Sequence, residues 1–343
     1  MISVIVPVHN GDKYIRECIE SIERTEEDTE ILIVNDGSID DTEAVCKKLA
    51  SEYANIRVIT TPGVGVSKSR NLGVEETTGE FITFVDADDV LEPRMLSKLL
   101  KVLEESRADI AGCRFFIRNS GKNIKAKTSE NTTVKALSTD ILNGAVSDTE
   151  ERPVTDHFAE YMLYSAEEYI RQQILLRNNT RCWSKMYRRS VVGKVRFDES
   201  LTIGEDMLYL TECVGKSTKI AEMTEYKGYG YLLNSKGAML RPFTPKYMDQ
   251  IYCWEKMSEL TQLSLSDKRA VAIMLIASKI AAGSLKKRRE NQKYVDEIHS
   301  KLGDLLKEYP KTLSELDRGY RIKCRLFKSN PKLYLTIYHA WKG

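Results

Sequence analysis

Two carboxylates in alternate positions, Asp86 and Asp88, directly follow an apolar segment at residues 81–85. A buried strand would bring these acids close together, and a divalent cation would relieve their mutual repulsion. Mg²⁺ and Mn²⁺ prefer oxygen ligands, and they commonly bind through one or two carboxylates and the phosphates of a substrate. The structural alternative is that an acid here caps the helix for which Pro93 is a favoured first-turn residue. Taken alone, so common a pattern favours the structural interpretation.

A glycine-rich segment, residues 63–67, leads into a predicted helix that carries Arg70 and Asn71. An arginine there can bind a phosphate with two parallel hydrogen bonds, and an asparagine can bond a base or a ribose. The alternative is a loop that only changes the direction of the chain. No Gly-Lys-Ser/Thr follows, and Gly11 is the lone glycine after the first strand, so neither a Walker loop nor a dinucleotide-binding fingerprint is present.

Strand and helix patterns alternate over residues 1–118. Buried strands are predicted at residues 2–6, 31–34, 56–60, 81–85 and 109–117. Helices are predicted between them, with Asp12 as the N-cap of the first. This alternation implies an α/β fold with a mostly parallel sheet flanked by helices on both faces. Such sheets bind ligands at the carboxyl ends of their strands, where the polar clusters 9–10, 35–36 and 86–89 fall.

Composition excludes several classes of protein. Fifty-two Lys and Arg against 50 Asp and Glu give a net charge of +2, too balanced for a dedicated nucleic-acid-binding protein. Seven cysteines without a Cys-x-x-Cys pair, and four scattered histidines, argue against zinc. The odd number of cysteines and the absence of a secretion signal predict reduced thiols in a cytoplasmic protein. The longest apolar stretch, residues 270–282, is too short to span a bilayer.

Four motifs in order give the chain a specific resemblance. They are Val4-Ile-Val-Pro-Val-His-Asn10, Ile33-Val-Asn-Asp-Gly-Ser-Ile-Asp40, Gly65-Val-Ser-Lys-Ser-Arg-Asn-Leu-Gly73 and Val85-Asp-Ala-Asp-Asp89. The series resembles glycosyltransferase family 2, which implies the GT-A type of α/β fold. Downstream segments resemble the acceptor side of that family: Trp183-Ser-Lys-Met-Tyr187, Phe197-Asp-Glu-Ser-Leu201 and Gly204-Glu-Asp-Met207. The resemblance covers residues 1–118 and 180–240.

The resemblance implies a role for each matching residue. Nucleotide-binding roles are implied for Pro7, His9, Asn10, Asp36, Ser38, Arg70, Asn71, Asp86 and Ala87, with Asp36 on the base. Metal-binding roles are implied for Asp86 and Asp88, with Mg²⁺ or Mn²⁺ as the cofactor. Catalytic roles are implied for Asp206 and Glu205, with Asp206 as the general base, and acceptor-side roles for Trp183 and Lys185. The implied reaction is an inverting transfer from a nucleotide-sugar, with a UDP-sugar expected, to a hydroxyl of a glycan or a lipid-linked glycan.

Two of these assignments leave alternatives open, and two positions depart from the family pattern. Glu205 and Asp206 would also suit a helix N-terminus after Gly204, and Trp183 would suit a core position as well as a sugar-stacking one. Asn35 stands where the family often has Asp. At 237–238, Gly-Ala stands where the family commonly has a serine nearby, and Arg241 is a candidate substitute for the diphosphate contact.

The expected organisation has three parts: a nucleotide-sugar half at 1–118, an acceptor-side half at 119–240 with an insertion at 119–160, and a helical region at 241–343. The last part ends in a basic-aromatic tail, residues 318–343, with seven Lys and Arg and no acid. This tail is either a solvated helix or a contact with an anionic membrane, which would place the protein on the inner face of the cell membrane. We expect no nucleic-acid partner, and the insertion and C-terminal helices are where self-association into a homo-oligomer would be encoded.

Two other functions compete with sugar transfer. A nucleotidyltransferase that makes sugar nucleotides should have an early glycine-rich loop with a basic residue, and the residues after Val6 lack one. A non-catalytic relative that binds nucleotide-sugar as an assembly partner would most simply have lost Asp88 or Asp206, and both are present.

Overall fold

The computed structural model describes residues 1–118, 161–233 and 242–342. The chain divides into two compact units, Met1–Ser235 and Lys236–Gly343. The 119–160 insertion, residues 237–238 and Arg241 lie outside the described residues. The further division of the first unit into a nucleotide-sugar half and an acceptor-side half stays a prediction.

The first unit contains a mixed sheet that has nine strands within the described residues. The strands are β1 (Ile2–Val8), β2 (Thr29–Asp36), β3 (Ile56–Thr61), β4 (Phe81–Phe84), β5 (Val90–Leu91), β6 (Ile110–Arg118), β7 (Met162–Tyr164), β8 (Lys185–Arg188) and β9 (Ile220–Leu232). Their spatial order is β3-β2-β1-β4-β8-β6-β9-β5, with β7 paired to β9.

The first half of this sheet is parallel and deeply buried. All seven residues of β1 are buried, and β1 pairs in parallel with β2 and β4 while β2 pairs in parallel with β3. Beyond β4 the directions mix, because β8 runs antiparallel to both β4 and β6, and β6 runs parallel to β9. The predicted α/β class with helices flanking the sheet is confirmed. The continuous parallel part consists of β1 to β4, whereas the strand predicted at 109–117 is β6, which runs antiparallel to β8.

Helices connect the strands of the first unit. They are α1 (Ile15–Ile22), α2 (Thr42–Glu52), α3 (Val66–Glu76), α4 (Met95–Ser106), α5 (Ala166–Tyr169), α6 (Arg189–Val192) and α7 (Glu205–Lys216), with a π-helix at Ile170–Leu176. The prediction that Asp12 caps α1 is wrong: Tyr14 precedes the helix, and no side chain caps it. A turn starts at Gly11, so the helix begins only at Ile15. The backbone N–H of Asp12 donates to the side chain of Asp40.

Helix α3 packs unusually close to the central strand. A Cβ added at Gly73 would lie 2.3 Å from Cγ2 of Ile5, so only glycine permits this approach. Because α3 begins just beyond the strand ends, its first turns carry Arg70 and Asn71 beside the loops that follow β1, β2 and β4.

The second unit consists of helices in the described range 242–342. A 3₁₀ turn at Pro245–Met248 leads into α8 (Asp249–Thr261), α9 (Ser266–Ala281), α10 (Leu285–Glu290), α11 (Gln292–Glu308), α12 (Thr312–Glu315), α13 (Arg318–Ser329) and α14 (Pro331–Lys342). The buried helix α9 lies at its centre, and its Ser278 hydroxyl hydrogen-bonds the buried Tyr334 hydroxyl of α14 at 2.8 Å. Across the described residues, none of the helices is both long and apolar enough to cross a membrane.

Candidate active site

The loops after β1 and β2 are joined by hydrogen bonds at the carboxyl edge of the sheet. The backbone N–H of Asn10 donates to Oγ of Ser38, and the Asn10 side chain accepts from the backbone N–H of Ile39, both at 2.9 Å. Asn10 has a φ of 53°, a left-handed conformation that asparagine tolerates well. Nδ1 of His9 lies 2.6 Å from the backbone oxygen of Asp36. The structure therefore brings the predicted nucleotide-binding residues 9, 10, 36 and 38 together on a braced surface.

Asp36 organises the glycine-rich loop. Its carboxylate accepts hydrogen bonds from the Thr61 hydroxyl and from the backbone N–H groups of Val64 and Gly65, at 2.6, 2.6 and 2.8 Å. Burial alone would raise the pKa of Asp36, but these three donors outweigh it and lower the pKa. A base contact would have to use the remaining lone pairs of this carboxylate, so base binding by Asp36 stays a prediction.

Arg70 lies at the centre of three carboxylates. Its Nη1 donates to Asp206 at 2.7 Å and to Glu205 at 3.4 Å, and its Nη2 donates to Asp86 at 2.9 Å. The guanidinium carbon lies 5.2 Å from the centre of the Phe197 ring, and only 4% of the side chain is exposed. Arg70 therefore joins the loop after β4 to the first turn of α7, which lies 136 residues further along the chain.

Arg70 also has a role within the protein that the sequence did not predict. Both of its Nη atoms bond protein carboxylates, and its Nε is buried without an acceptor among the described residues. Arg70 thus holds Asp86 and Asp206 in position, and its approach to the nucleotide stays a prediction. Gly204 makes the junction possible, since its φ of 94° lets the chain turn into α7 where a side chain would be strained.

The two acids at the start of α7 have different environments. Burial, and then repulsion by Asp206, raise the pKa of Glu205 to about 7. Oδ1 of Asp206 accepts from Arg70 and lies 3.3 Å from the Cys182 thiol, which burial keeps protonated by raising its pKa. Oδ2 of Asp206 accepts no hydrogen bond from a described residue, and 22% of the side chain is exposed. One oxygen of Asp206 is therefore fixed and the other can accept a proton.

Asp88 has the character of a cation ligand. Burial, and then the charge of Asp86, raise the pKa of Asp88, yet no hydrogen bond from another described residue reaches its carboxylate. The described residues contain no cluster of three or more His, Cys, Asp or Glu side chains that could hold a metal alone. A Mg²⁺ or Mn²⁺ ion on a nucleotide needs one or two carboxylates, with phosphates and water completing its shell. Asp88 and the second oxygen of Asp86 fit that need.

Asp89 has a role that the sequence did not reveal. Its carboxylate accepts from the Tyr229 hydroxyl and from the backbone N–H of Leu232, both at 2.7 Å. The Tyr229 hydroxyl in turn accepts from the backbone N–H of Asp86 at 3.2 Å. Burial, and then Asp86, raise the pKa of Asp89 to about 8. Asp89 thereby fastens the acidic loop to β9, and no side chain caps α4, so the structural alternative of a cap at 88 or 89 is wrong.

Asn71 binds the main chain of Phe197 through its side-chain amide. Its Nδ2 donates to the backbone oxygen of Phe197 at 2.9 Å, and its Oδ1 accepts from the backbone N–H of the same residue at 2.8 Å. Asn71 is 5% exposed, and both ends of its amide are engaged in these bonds. It therefore fixes the segment before α7, and the nucleotide-binding role stays a prediction.

Trp183 belongs to an aromatic cluster. It stacks on Tyr229 and Tyr231, with ring centres 4.5 and 5.4 Å apart, and meets the Phe115 ring edge-on at 5.5 Å. Only 6% of its surface is exposed, which favours the core interpretation over stacking on a sugar.

Lys185 is fully buried. Its Nζ donates to Oδ1 of Asn179 at 2.8 Å, in a polar cluster where Tyr169 donates to Glu222 at 2.9 Å. Burial lowers the pKa of Lys185 and raises that of Glu222. A buried ammonium offers no surface to an acceptor in this structure, and the acceptor-side role of Lys185 stays a prediction. The remaining predicted positions, Pro7 at the buried end of β1 and Ala87 in the partly exposed acidic loop, lie at the same edge as Asp86.

The family model described as Glycosyl transferase family 2 matches residues 3–195. The chain belongs to glycosyl transferase family 2. Its fold is of the GT-A type, and enzymes of this family generally use divalent metal ions.

Similar proteins agree with this assignment. "Glycosyltransferase GlyA" of Streptococcus pneumoniae is 29% identical over 75% of this chain and 34% of its own length. "Minor teichoic acid biosynthesis protein GgaB" of Bacillus subtilis is 29% identical over 69% of this chain and 23% of its own length. The chain thus spans 34% and 23% of the lengths of these two relatives. The S. aureus TarS 1–349 crystal structure in complex with UDP-GlcNAc aligns over 99% of this chain and 91% of that chain, with a TM-score of 0.63 and 18% identity.

Proposed function

We propose that this protein transfers a sugar from a UDP-sugar to a hydroxyl of a glycan or a lipid-linked glycan, with inversion at the anomeric carbon. The observation that carries the proposal is Asp206: one carboxylate oxygen is fixed by Arg70 at 2.7 Å, and the other is left without a described protein donor. The same guanidinium binds Asp86, so the general base and the acidic loop are positioned by one side chain.

The proposed reaction is a single displacement. Asp206 accepts the proton of the acceptor hydroxyl while that oxygen bonds to the anomeric carbon. The bond from the anomeric carbon to the diphosphate breaks, and its electron pair leaves with the nucleoside diphosphate. A divalent ion held by Asp88 and Asp86 would neutralise the charge on that leaving group. Attack from the face opposite the leaving group requires no covalent enzyme intermediate.

The donor and the acceptor are assigned by likeness to relatives. TarS, which shares the fold, was crystallised with UDP-GlcNAc, which supports a UDP-sugar as the donor here. GgaB is named for teichoic acid biosynthesis, which supports a glycan or a lipid-linked glycan of a surface-polymer pathway as the acceptor. Hexose and N-acetylhexosamine donors are both compatible with this proposal.

Two substitutions separate the proposed roles. Asp206→Asn should lower kcat by about 10²- to 10⁴-fold while UDP affinity changes little, because the base does not hold the donor. Asp88→Asn should instead remove the increase in UDP affinity that Mn²⁺ produces. Calorimetric titration with UDP, with and without Mn²⁺, measures UDP affinity in the wild type and in both variants. Donor hydrolysis by the wild type and the variants measures turnover. Absence of nucleotide binding under any metal would favour the non-catalytic relative, and full turnover by Asp206→Asn would refute the base assignment.

We also propose that the second unit contacts an anionic membrane from the cytoplasmic side. Helix α14 exposes Leu333, Ile337 and Trp341 at one-turn spacing, with 46, 49 and 67% of each residue accessible. The tail of residues 318–343 carries seven basic residues and no acid, which complements an anionic lipid surface. Membrane contact would bring the enzyme to a lipid-linked acceptor. Self-association stays a prediction.

Vesicle sedimentation tests this surface. The wild-type protein should sediment with phosphatidylglycerol vesicles and much less with phosphatidylcholine vesicles, and less with either at high salt. Changing Ile337 and Trp341 together to Ser should weaken sedimentation. Leu260→Ser, at a residue that is 42% exposed on α8, serves as the matched control. Equal sedimentation of both variants would refute the surface.

A further inference from the structure

Arg181 is a guanidinium without an acceptor beside the proposed site. It lies two residues before Trp183, between the π-helix at 170–176 and β8. Its guanidinium carbon lies 4.7 Å from the centre of the Phe115 ring and 5.2 Å from that of Trp183. In the described parts of the chain, no carboxylate, carbonyl or hydroxyl accepts a hydrogen bond from it.

Two other arginines of this unit have several acceptors within the protein. Arg70 binds three carboxylates, and Arg189 donates to Gly79, Val74, Ser3 and Thr77. Burial lowers the pKa of Arg181, yet an arginine stays charged in any protein. Arg181 is partly exposed, so its N–H groups remain accessible, and an anionic ligand can supply the acceptors that the described protein lacks.

Arg181 lies near the proposed general base. It interacts electrostatically with Asp206 and with Tyr231, and Tyr231 in turn interacts with Asp88. Its chain neighbour Cys182 contacts Asp206 directly. The guanidinium carbon contacts the two rings, and the N–H groups of Arg181 donate to no described residue, so they can bind a planar pair of acceptor oxygens.

We propose that Arg181 is a phosphate-binding residue of the active site, held in position by the rings of Phe115 and Trp183. This inference rests on the proposed function and adds to it a cation that binds a phosphate group of a substrate. Two sources carry the required group: the β-phosphate of the nucleoside diphosphate, or a phosphate of the acceptor, as in a polyol phosphate.

Three variants test the inference. Arg181→Met removes the donors and keeps an apolar stem against the rings, whereas Arg181→Lys keeps the charge and loses the planar pair of hydrogen bonds. Arg114→Met is the matched control, because Arg114 is also partly exposed, neighbours Phe115 and donates to the backbone oxygen of Thr224 at 3.1 Å. Near-UV circular dichroism checks that the aromatic cluster is intact in each, and Arg181→Lys alone carries the test if Arg181→Met does not fold.

Calorimetric titrations with inorganic pyrophosphate, UDP, UMP and glycerol 3-phosphate, all with Mg²⁺, distinguish the outcomes. If the donor β-phosphate is the ligand, Arg181→Met should weaken UDP about 10- to 100-fold and leave UMP nearly unchanged, with Arg181→Lys between. If the acceptor phosphate is the ligand, the same loss should appear for glycerol 3-phosphate and not for UDP.

Failure of the inference and of the proposed function can be told apart. Wild-type affinity of both Arg181 variants for pyrophosphate, UDP and glycerol 3-phosphate would overturn the inference while the transferase proposal stood. So would a wild-type protein that binds none of these anions. Binding of pyrophosphate through Arg181 by a protein that ignores UDP would keep the anion site and overturn the proposed donor.

Discussion

Replacing Arg70 with Met should destabilise the first unit in a pH-dependent way. The substitution keeps an apolar stem of similar length and removes the one cation that, among the described residues, pairs with Asp86, Glu205 and Asp206. Three carboxylates then face one another, and each loses a charge-assisted donor.

The magnitude follows from burial. Removing one partner of a buried ion pair costs about 3–5 kcal/mol. Asp86 and Asp206 are 28 and 22% exposed, so water replaces part of the lost interaction, and we expect about 3 kcal/mol at pH 8. At pH 5 the cost should fall to about half of this, because Glu205, with a pKa of about 7, is then protonated and contributes no repulsion.

Urea unfolding followed by near-UV circular dichroism at pH 5 and pH 8 measures this cost. Arg16→Met is the matched control, because Arg16 also binds two acids, Glu20 and Glu52, but at the surface, where such pairs contribute about 0–1 kcal/mol. A cost for Arg70→Met that equals the control, or that is the same at both pH values, would refute the view that Arg70 balances buried carboxylates.

Three further outcomes are expected. The pKa of Glu205 is raised to about 7, so between pH 4.5 and 7 the native protein keeps a proton that the unfolded chain has released, and stability falls as pH rises. Glu205→Gln should therefore raise the free energy of unfolding at pH 8 by at most about 3 kcal/mol, so that the variant unfolds at a higher urea concentration than the wild type. At pH 4 the two proteins should unfold at nearly the same urea concentration. Asn71→Ala should lower the free energy of unfolding by about 2 kcal/mol, because two hydrogen bonds to Phe197 are lost, and should leave the dissociation constant of UDP in calorimetry unchanged. A large loss of UDP affinity with unchanged stability would instead support the nucleotide-binding role. Tyr229→Phe, which removes the hydroxyl bonded to Asp89, should lower the thermal midpoint by an amount equivalent to about 1–3 kcal/mol, and no change would show that this bond does not hold the acidic loop.

Local patterns were sufficient for the elements and for the order of the motifs. The apolar run at the N-terminus predicts β1 because a strand covered on both faces must be apolar throughout, and all its residues are buried. The same reasoning predicts that the residues after β1, β2 and β4 share one edge, since parallel strands end together. His9, Asn10 and Ser38 do meet there, through hydrogen bonds between the first two loops.

The partners of polar side chains were decided by tertiary packing. Arg70, Asn71 and Lys185 look alike in the sequence, as polar residues within family motifs, yet one binds three acids, one binds a main chain and one is buried beside Asn179. Asp88 and Asp89 are adjacent, and only the approach of β9 gives the second a fixed partner while the first stays available to a cation.

The sequence by itself determined the fold class, the family and the edge of the sheet where the chemistry lies, because these depend on periodicity and on the spacing of residues within a motif. The tertiary structure decided which groups at that edge are occupied and which remain free. Arg70 and Asp206 are 136 residues apart, and no local pattern encodes a contact at that distance. The unpaired donors of Arg181 likewise became visible only when the surrounding aromatic rings were in place.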